Sequence, residues 1–341
     1  MVGRRMVDRW QDDSKSFLAL GMKKRALPTI YGGIIGDLLG VPVEFRKRDS
    51  YQIKEIAGYG TYNQPPGTWS DDTSLTLCLM ENIINDDSMD DLMLKLVKYY
   101  DEAYWTPHGE MFDIGRATVE AITRFKRGTM PEKCGGQTEL DNGNGAIMRI
   151  SPVVFLLYNN FDFVQKAEII KQYTEITHAH PRAIVGSIIY VELLLRLYYN
   201  NSFAESIEQI NELFTENFDE NHIYRKELIN YKRIFSEDFA KTPREEIMST
   251  GFVVHSLEAA VWCLITTSSF SEAVLKAVNL GDDTDTVAAI TGSLAGMYYK
   301  MEGIPEEWLE KIARKNDIDE LIEKFYEHCA NKAILKEYGS L

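Results

Sequence analysis

The sequence is poor in cysteine, with four residues in a chain of 341. Cys78, Cys134, Cys263 and Cys329 are widely spaced, and they match neither a disulfide framework nor the ligand spacing of a zinc site. Because thiols of this kind stay reduced inside cells, we interpret them as core residues of a cytoplasmic protein. Their scarcity excludes the small disulfide-rich secreted proteins and the zinc fingers.

Basic charge is also scarce, since 37 Lys and Arg stand against 52 Asp and Glu and give a net charge of −15. We therefore expect no nucleic acid as a primary partner, because its phosphates repel an acidic protein. The apolar stretches, such as residues 184–195, are shorter than a membrane span of about 20 residues. The N-terminus has no apolar signal segment. We expect neither a membrane partner nor secretion.

Alternating runs of β-branched residues, the pattern of a half-buried strand, are nearly absent. Apolar residues instead recur every three or four positions at residues 92–100, 114–125, 164–176, 182–199, 207–214, 256–266, 273–280 and 308–314. Hydrophobic residues make up 45% of the chain, which is enough for a large core. The sequence predicts an all-α protein with one compact domain, in which the charged residues 201–250 form a surface insertion.

Two acidic turns precede long apolar helical runs. Residues 70–73 read Ser-Asp-Asp-Thr, and residues 282–286 read Asp-Asp-Thr-Asp-Thr. One capping carboxylate stabilises a helix N-terminus, and each turn carries more than one. If the fold joins the turns, their carboxylates and hydroxyls form the oxygen-rich ligand set of Mg²⁺ or Mn²⁺. The residues alone leave both interpretations open, ordinary helix caps and a metal site.

Four further segments allow both a structural and a functional interpretation. The glycines of residues 32–40 favour close approach of another helix, and Glu44 lies beyond Pro42, where that helix must end. The glycine-rich loop 140–145 leads into a helical run and can cradle a phosphate with its N–H groups, although Asn-Gly pairs are also typical of turns. Residues 177–181 contain two His before a proline that suits a helix start. The two His can bind a transition metal, but a helix-capping turn is the preferred interpretation.

In this order, the segments resemble the ADP-ribosylglycohydrolase family, typified by the enzyme that reactivates dinitrogenase reductase. The resemblance extends from about residue 31 to residue 303. It implies a single compact orthogonal helical bundle with a binuclear Mg²⁺ or Mn²⁺ centre in a cleft. The matching motifs are residues 33–40 with Glu44, then 70–73, 112–115, 143–149, 177–178, 251–254 and 279–286.

The resemblance also implies the site residues. The metal ligands would be Ser70, Asp71, Asp72, Asp283, Asp285 and Thr286. The ADP-ribose would be bound by Asn142, Gly143, Asn144, Gly145 and His178. Glu44 and Asp113 would be the catalytic carboxylates that exchange protons with water and leaving group. Asp282 departs from the family pattern, since Gly is frequent at its position, and it adds charge beside the site.

The function implied by the resemblance is Mg²⁺- or Mn²⁺-dependent removal of ADP-ribose from modified proteins. In family members of bacterial type, the ADP-ribose is most commonly linked to arginine. Residues 1–26 form an arm before the family domain at 27–341. Their apolar residues include Trp10, Phe17 and Leu18. Some relatives are immunity proteins whose arm plugs an ADP-ribosyltransferase toxin, so neutralisation of a toxin is one alternative. A non-catalytic ADP-ribose binder is another, and the arm can also be a disordered tail.

Overall fold

The protein consists of α-helices joined by loops and short 3₁₀ helices. The computed structural model describes the backbone of residues 2–338 and the side chains of residues 16–335, and it contains no β-strand in this part of the chain. The predicted all-α fold is confirmed. The helices are α1 Val2–Gly40, α2 Asp71–Ile84, α3 Met89–Glu102, α4 Arg116–Lys126, α5 Val154–Leu157, α6 Phe163–Glu175, α7 Pro181–Tyr198, α8 Phe203–Asn217, α9 Ile223–Glu227, α10 Val253–Ile265, α11 Phe270–Val278, α12 Thr284–Tyr299, α13 Glu306–Glu310 and α14 Lys315–Tyr338.

The helices that border the site begin where the sequence supplies capping residues. The hydroxyl oxygen of Ser70 accepts a hydrogen bond from the backbone N–H of Asp72 at the start of α2. At the start of α7, the His180 ring accepts from the N–H of Arg182, and Pro181 occupies the first helical position. These side chains satisfy N–H groups that have no partner within the helix. The capping interpretation of both segments is therefore confirmed.

Helices α1 and α12 pack so closely that only glycine fits between them. A Cβ atom added to Gly36 would lie 1.9 Å from the carbonyl oxygen of Ala288, and one on Gly40 would lie 2.3 Å from the Cα of Asp285. The hydroxyl of Thr284 also donates to the carbonyl oxygen of Gly40 at 2.8 Å. The predicted role of these glycines is confirmed. Their packing fixes the start of α12, which carries the second acidic turn.

The predicted N-terminal arm is continuous with α1. Met22 and Ala26 are buried, and Leu18 packs against the core, whereas Phe17 is 80% exposed. The side chain of Trp10 lies outside the described residues. The helix runs through residue 26 without a break, so the division between arm and domain stays a prediction.

The segment Ser16–Val43 is apolar and long enough to cross a membrane by length and composition, the one such stretch in the described part of the chain. However, 89% of its most apolar window is buried inside the protein. A buried core helix has the same composition, and here it packs along α12. The four cysteines are also buried, and none forms a disulfide.

Residues 201–250 contain buried side chains as well as charged ones. Tyr231 and Phe239 are buried. At the end of the segment, the carbonyl oxygen of Ser249 accepts a hydrogen bond from the N–H of Asp283 at 3.0 Å. The end of the segment is therefore hydrogen-bonded to the second acidic turn. Its description as a surface insertion stays a prediction.

Candidate functional site

A cleft with a volume of about 580 Å³ opens among α2, α4 and α12. Most of the predicted site residues line it. The others, Ser70, Asp72 and Asp285, are buried and connect to the lining through hydrogen bonds. The predicted residues on the cleft wall are Glu44, Asp71, Asp113, Asn142, Gly143, Asn144, Gly145, His178, Asp283 and Thr286.

The fold brings the two acidic turns together. The hydroxyl of Thr286 donates to Oδ2 of Asp72 at 3.2 Å, and the Ser70 hydroxyl donates to the same oxygen at 3.2 Å. The N–H of Thr286 donates to Oδ1 of Asp285 at 2.9 Å. Asp71 accepts from the N–H of Gly115 at 3.2 Å. The turns thus place their oxygens in one cluster, as the metal-site interpretation requires.

Several oxygens in this cluster have no hydrogen-bond partner among the described residues. They are Oε2 of Glu44, Oδ1 of Asp72, Oδ1 of Asp283 and Oδ2 of Asp285. Oxygens of Glu44, Asp283 and Asp285 lie within 4.8 Å of one another. Buried carboxylate oxygens without a donor are costly, and a hard divalent cation is the ligand that satisfies them. The donor set therefore fits a divalent cation.

The electrostatics of the cleft lead to the same conclusion. Burial, and then the carboxylates of Asp113 and Asp283, raise the pKa of Glu44 to about 9. Burial raises the pKa of Asp113 to about 6. The pKa values of Asp71 and Asp285 lie well above their ordinary range, because both are buried and surrounded by other carboxylates. Without a cation, the site therefore retains protons, which a bound metal ion would displace.

Asp37 supports the first acidic turn and was not predicted as a site residue. It is fully buried in α1. Its carboxylate accepts from the N–H of Ser70 at 3.0 Å and from the hydroxyl of Thr73 at 2.6 Å. Burial raises its pKa to about 6 although these hydrogen bonds lower it. An acidic residue in the middle of an apolar, glycine-spaced helix was the signal in the sequence.

Tyr62 also belongs to the site. It lies in the 3₁₀ helix Gly60–Tyr62. Burial raises the pKa values of Glu44 and Asp113, and the nearby Tyr62 hydroxyl lowers both. Its ring packs on Phe112 with 5.0 Å between centroids. The hydroxyl of the adjacent Thr61 donates to the carbonyl oxygen of Glu44 at 2.7 Å. This loop therefore lies beside the two predicted catalytic carboxylates.

The loop predicted to bind ADP-ribose, residues 142–145, is attached to the second acidic turn. The side-chain amide of Asn144 donates to Oδ2 of Asp283 at 2.7 Å and to the hydroxyl of Ser256 at 2.9 Å. The backbone N–H of Asn144 donates to the carbonyl oxygen of Gly251 at 3.0 Å. The N–H of Asn144 is therefore already hydrogen-bonded within the protein, so it is not one of the loop N–H groups that can bind a phosphate. The loop leads into the 3₁₀ helix Ile147–Arg149 rather than an α-helix.

His178 lies beneath this loop and is neutral. It is buried, and its Nδ1 is 2.8 Å from the Thr177 hydroxyl. Burial and then the Arg149 guanidinium lower its pKa to about 3. A Cβ on Gly145 would lie 2.9 Å from its Cε1 atom, so the glycine allows the loop to rest on the ring. His178 can therefore offer a substrate one neutral ring nitrogen.

His180 does not join His178 in the cleft. It caps α7 and lies with Glu139 and Glu227 in a second group of candidate ligand atoms. The guanidinium of Arg182 already binds both carboxylates, at 2.6 Å to Glu139 and 2.9 Å to Glu227. Because a positive charge already occupies this group, we assign no metal to it.

Comparisons with known proteins identify the family of the chain. A sequence model of the ADP-ribosylglycohydrolase family matches residues 20–334. The chain is 32% identical over 306 residues to ADP-ribosylarginine hydrolase Tri1 of Serratia proteamaculans, covering 89% of this chain and 79% of that protein. The Pseudomonas putida protein of the same name is 30% identical over 314 residues, covering 89% and 78%.

A solved structure has the same fold. It is titled as an ADP-ribosylglycohydrolase-related protein complex, and the two folds superpose with a TM-score of 0.75 at 26% identity, covering 90% of this chain and 99% of that chain. The chain belongs to the ADP-ribosylglycohydrolase family and is a glycosyl-bond hydrolase.

Proposed function

We propose that the protein removes ADP-ribose from modified arginine side chains of proteins in the cytoplasm, with two Mg²⁺ or Mn²⁺ ions at the joined acidic turns. The arginine linkage is supported by the names of the Serratia proteamaculans and Pseudomonas putida relatives. The cluster of carboxylate oxygens without hydrogen-bond partners in the cleft carries the metal-dependent part of the proposal.

The two turns would hold the cations with the hydroxyls and carboxylates that the resemblance implies. The ligands would be Ser70, Asp71, Asp72, Asp283, Asp285 and Thr286. When bound, two cations would supply electrostatic stabilisation and lower the pKa of a water. Asp37 orients the first turn, and Asn144 orients the second through Asp283. Ligands oriented in this way bind metal ions more tightly than free ones.

Glu44 and Asp113 exchange protons at the reacting bond. Cleavage of a glycosyl bond develops oxocarbenium character and needs a base for water and an acid for the leaving group. The Tyr62 hydroxyl is close enough to both carboxylates to lower their pKa values, which burial raises. The cleft places residues 142–145 and His178 beside these groups. There they bind the ADP-ribose, with the N–H groups of Gly143 and Gly145 facing its phosphates.

The substrate assay tests this proposal directly. The protein is incubated with Mg²⁺ and proteins or DNA carrying ADP-ribose on Arg, Ser, Glu or a base, and released ADP-ribose is measured. We expect release from the arginine linkage at the highest rate. Release from another linkage at a higher rate would contradict the arginine assignment. Binding of ADP-ribose without release from any substrate would identify a non-catalytic binder.

A second candidate function is immunity against an ADP-ribosyltransferase toxin. Phe17 and Leu20 of α1 are 80% and 50% exposed, and the family match begins only at residue 20. Exposed aromatic and aliphatic anchors are typical of interfaces, so the predicted arm is suited to contact a toxin. Hydrolysis of ADP-ribosyl-arginine would reverse the toxin's action independently of the arm.

Four variants separate the two routes when they are co-expressed with an ADP-ribosyltransferase encoded beside the gene. They are wild type, Asp285→Asn, a deletion of residues 1–26, and the two changes combined. If the arm blocks the toxin, Asp285→Asn still protects cells and the combined variant does not. If cells survive with every variant that retains Asp285 and with no variant that lacks it, the arm does not block the toxin.

A further inference from the structure

Phe45 is an exposed aromatic residue at the cleft that the proposed reaction does not use. It directly follows Glu44, lines the same cleft, and is 69% exposed. Its backbone has φ of 61°. Positive φ is strained for a bulky side chain, so the protein tolerates both backbone strain and exposed apolar surface at this position.

Reciprocal hydrogen bonds with the second acidic turn maintain this conformation. The N–H of Phe45 donates to the carbonyl oxygen of Asp282 at 2.7 Å. The N–H of Asp282 donates to the carbonyl oxygen of Arg46 at 3.0 Å. The Arg48 guanidinium adds a bond of 2.6 Å to the carbonyl oxygen of Leu280. These contacts involve only the backbone of Phe45. They therefore fix the backbone of Phe45 and leave its ring free to contact a ligand.

The position of the ring relative to the other parts of the cleft indicates what it contacts. Residues 142–145 and His178 line the part assigned to ADP-ribose, and Glu44 lies at the reacting bond. Phe45 adjoins Glu44 in the chain and is not among the residues assigned to ADP-ribose. Leu140, which is 83% exposed, also lines the cleft and is not assigned to ADP-ribose. Both are exposed apolar side chains on the cleft wall that the proposed reaction leaves unused.

We propose that Phe45 is a specificity-determining residue that packs against the polypeptide flanking the modified side chain. It favours ADP-ribosylated protein over free ADP-ribosyl-arginine, which lacks that polypeptide. Burial of an exposed aromatic ring against a partner stabilises a complex. The inference rests on the proposed hydrolase function and adds to it the discrimination between protein and small-molecule substrates.

The test compares kcat/KM for an ADP-ribosylated protein with kcat/KM for ADP-ribosyl-arginine, in wild type and in Phe45→Ala. We expect the variant to lower the ratio of the two values by about tenfold, mainly through KM for the protein substrate, as for loss of an interface anchor. Phe161→Ala is the matched control, because Phe161 is 85% exposed and does not line the cleft. Its ratio should equal that of wild type.

Phe45→Gly separates contact from backbone conformation. Glycine adopts positive φ without strain, so this variant should melt at a higher temperature than Phe45→Ala and show the same lowered ratio. Hydrolysis of both substrates with an unchanged ratio in Phe45→Ala contradicts the inference alone. Wild-type protein that hydrolyses neither substrate contradicts the proposed function, and the inference with it.

Discussion

The side-chain amide nitrogen of Asn144 lies 2.7 Å from Oδ2 of Asp283, so the loop assigned to ADP-ribose is bonded to a carboxylate assigned to the metal. This contact holds one oxygen of Asp283 and directs the other, which has no partner among the described residues, into the cluster. We therefore expect binding of substrate and binding of metal to be coupled through this hydrogen bond.

Asn144→Ala should weaken metal binding. Loss of the donor frees Asp283 to rotate, and loss of a partner that orients a ligand typically costs about 10–100-fold in metal affinity. Titration of metal-depleted protein with Mn²⁺, followed by calorimetry, measures this change. Asn142→Ala is the control, since the Asn142 amide donates to the carbonyl oxygen of Glu139 instead. Equal Mn²⁺ affinities in the two variants would contradict the coupling.

Glu44→Gln should separate chemistry from binding. The amide cannot exchange a proton at the reacting bond, so kcat should fall while ADP-ribose affinity stays within a few-fold, the pattern of a group used in the transition state. Single-turnover rates and ADP-ribose titrations measure the two quantities. Equal losses in rate and affinity would make Glu44 a binding residue.

Tyr62→Phe should lower kcat by about 10-fold or more, because the hydroxyl that lowers the pKa values of Glu44 and Asp113 is lost while the ring still packs on Phe112. Tyr59→Phe is the matched control, since Tyr59 is exposed on the same loop. The rate of ADP-ribose release measures the effect. If Tyr62→Phe releases ADP-ribose at the same rate as the control, the Tyr62 hydroxyl has no role in the reaction.

The stability of metal-free protein should fall as pH rises. The folded-state pKa values of Asp113, about 6, and Glu44, about 9, lie above the ordinary values of 3.8 and 4.5. The folded protein therefore binds more protons than the unfolded chain in this window, and the free energy of unfolding decreases from about pH 4 to about pH 9. Urea unfolding in chelator at several pH values measures it. A free energy of unfolding that increases between pH 6 and pH 9 would contradict the assigned protonation.

Gly36→Ala should destabilise the protein, because the added Cβ would lie 1.9 Å from the carbonyl oxygen of Ala288. Overpacking of this kind costs about 1–3 kcal/mol or more. Gly21→Ala is a control on the same helix, since no atom lies within 4 Å of its added Cβ. Alanine there should stabilise α1 by about 1 kcal/mol. Thermal unfolding distinguishes these opposite outcomes.

Local patterns predicted the helices and the two acidic turns, because apolar periodicity and capping residues act over a few positions. The contact between Thr286 and Asp72 joins residues 214 positions apart, and the residues alone left it open until the resemblance implied it. Tyr62 was missed because the packing of its loop depends on Gly60, whose φ is 58° and whose Cβ would lie 1.8 Å from the carbonyl oxygen of Pro42. Such long-range packing leaves no local pattern in the sequence.

The resemblance treated Asp282 only as added charge. Its φ of 59° gives a physical reason for the frequent glycine at that position, because glycine adopts this conformation without strain. Its carbonyl and N–H groups bind the segment after Glu44, and these backbone contacts do not depend on the side chain. Asp282→Asn should therefore preserve the turn, since Asn tolerates positive φ.

We propose that the joined acidic turns form a metal centre required for hydrolysis. The most direct test is ADP-ribose release from ADP-ribosyl-arginine by metal-depleted protein during titration with Mg²⁺ or Mn²⁺. We expect no release without metal, full recovery with it, and a loss of about 100-fold or more in Asp283→Asn but not in the adjacent control Asp282→Asn. If metal-depleted wild-type protein releases ADP-ribose at the untreated rate, the joined turns are not a metal centre that hydrolysis requires.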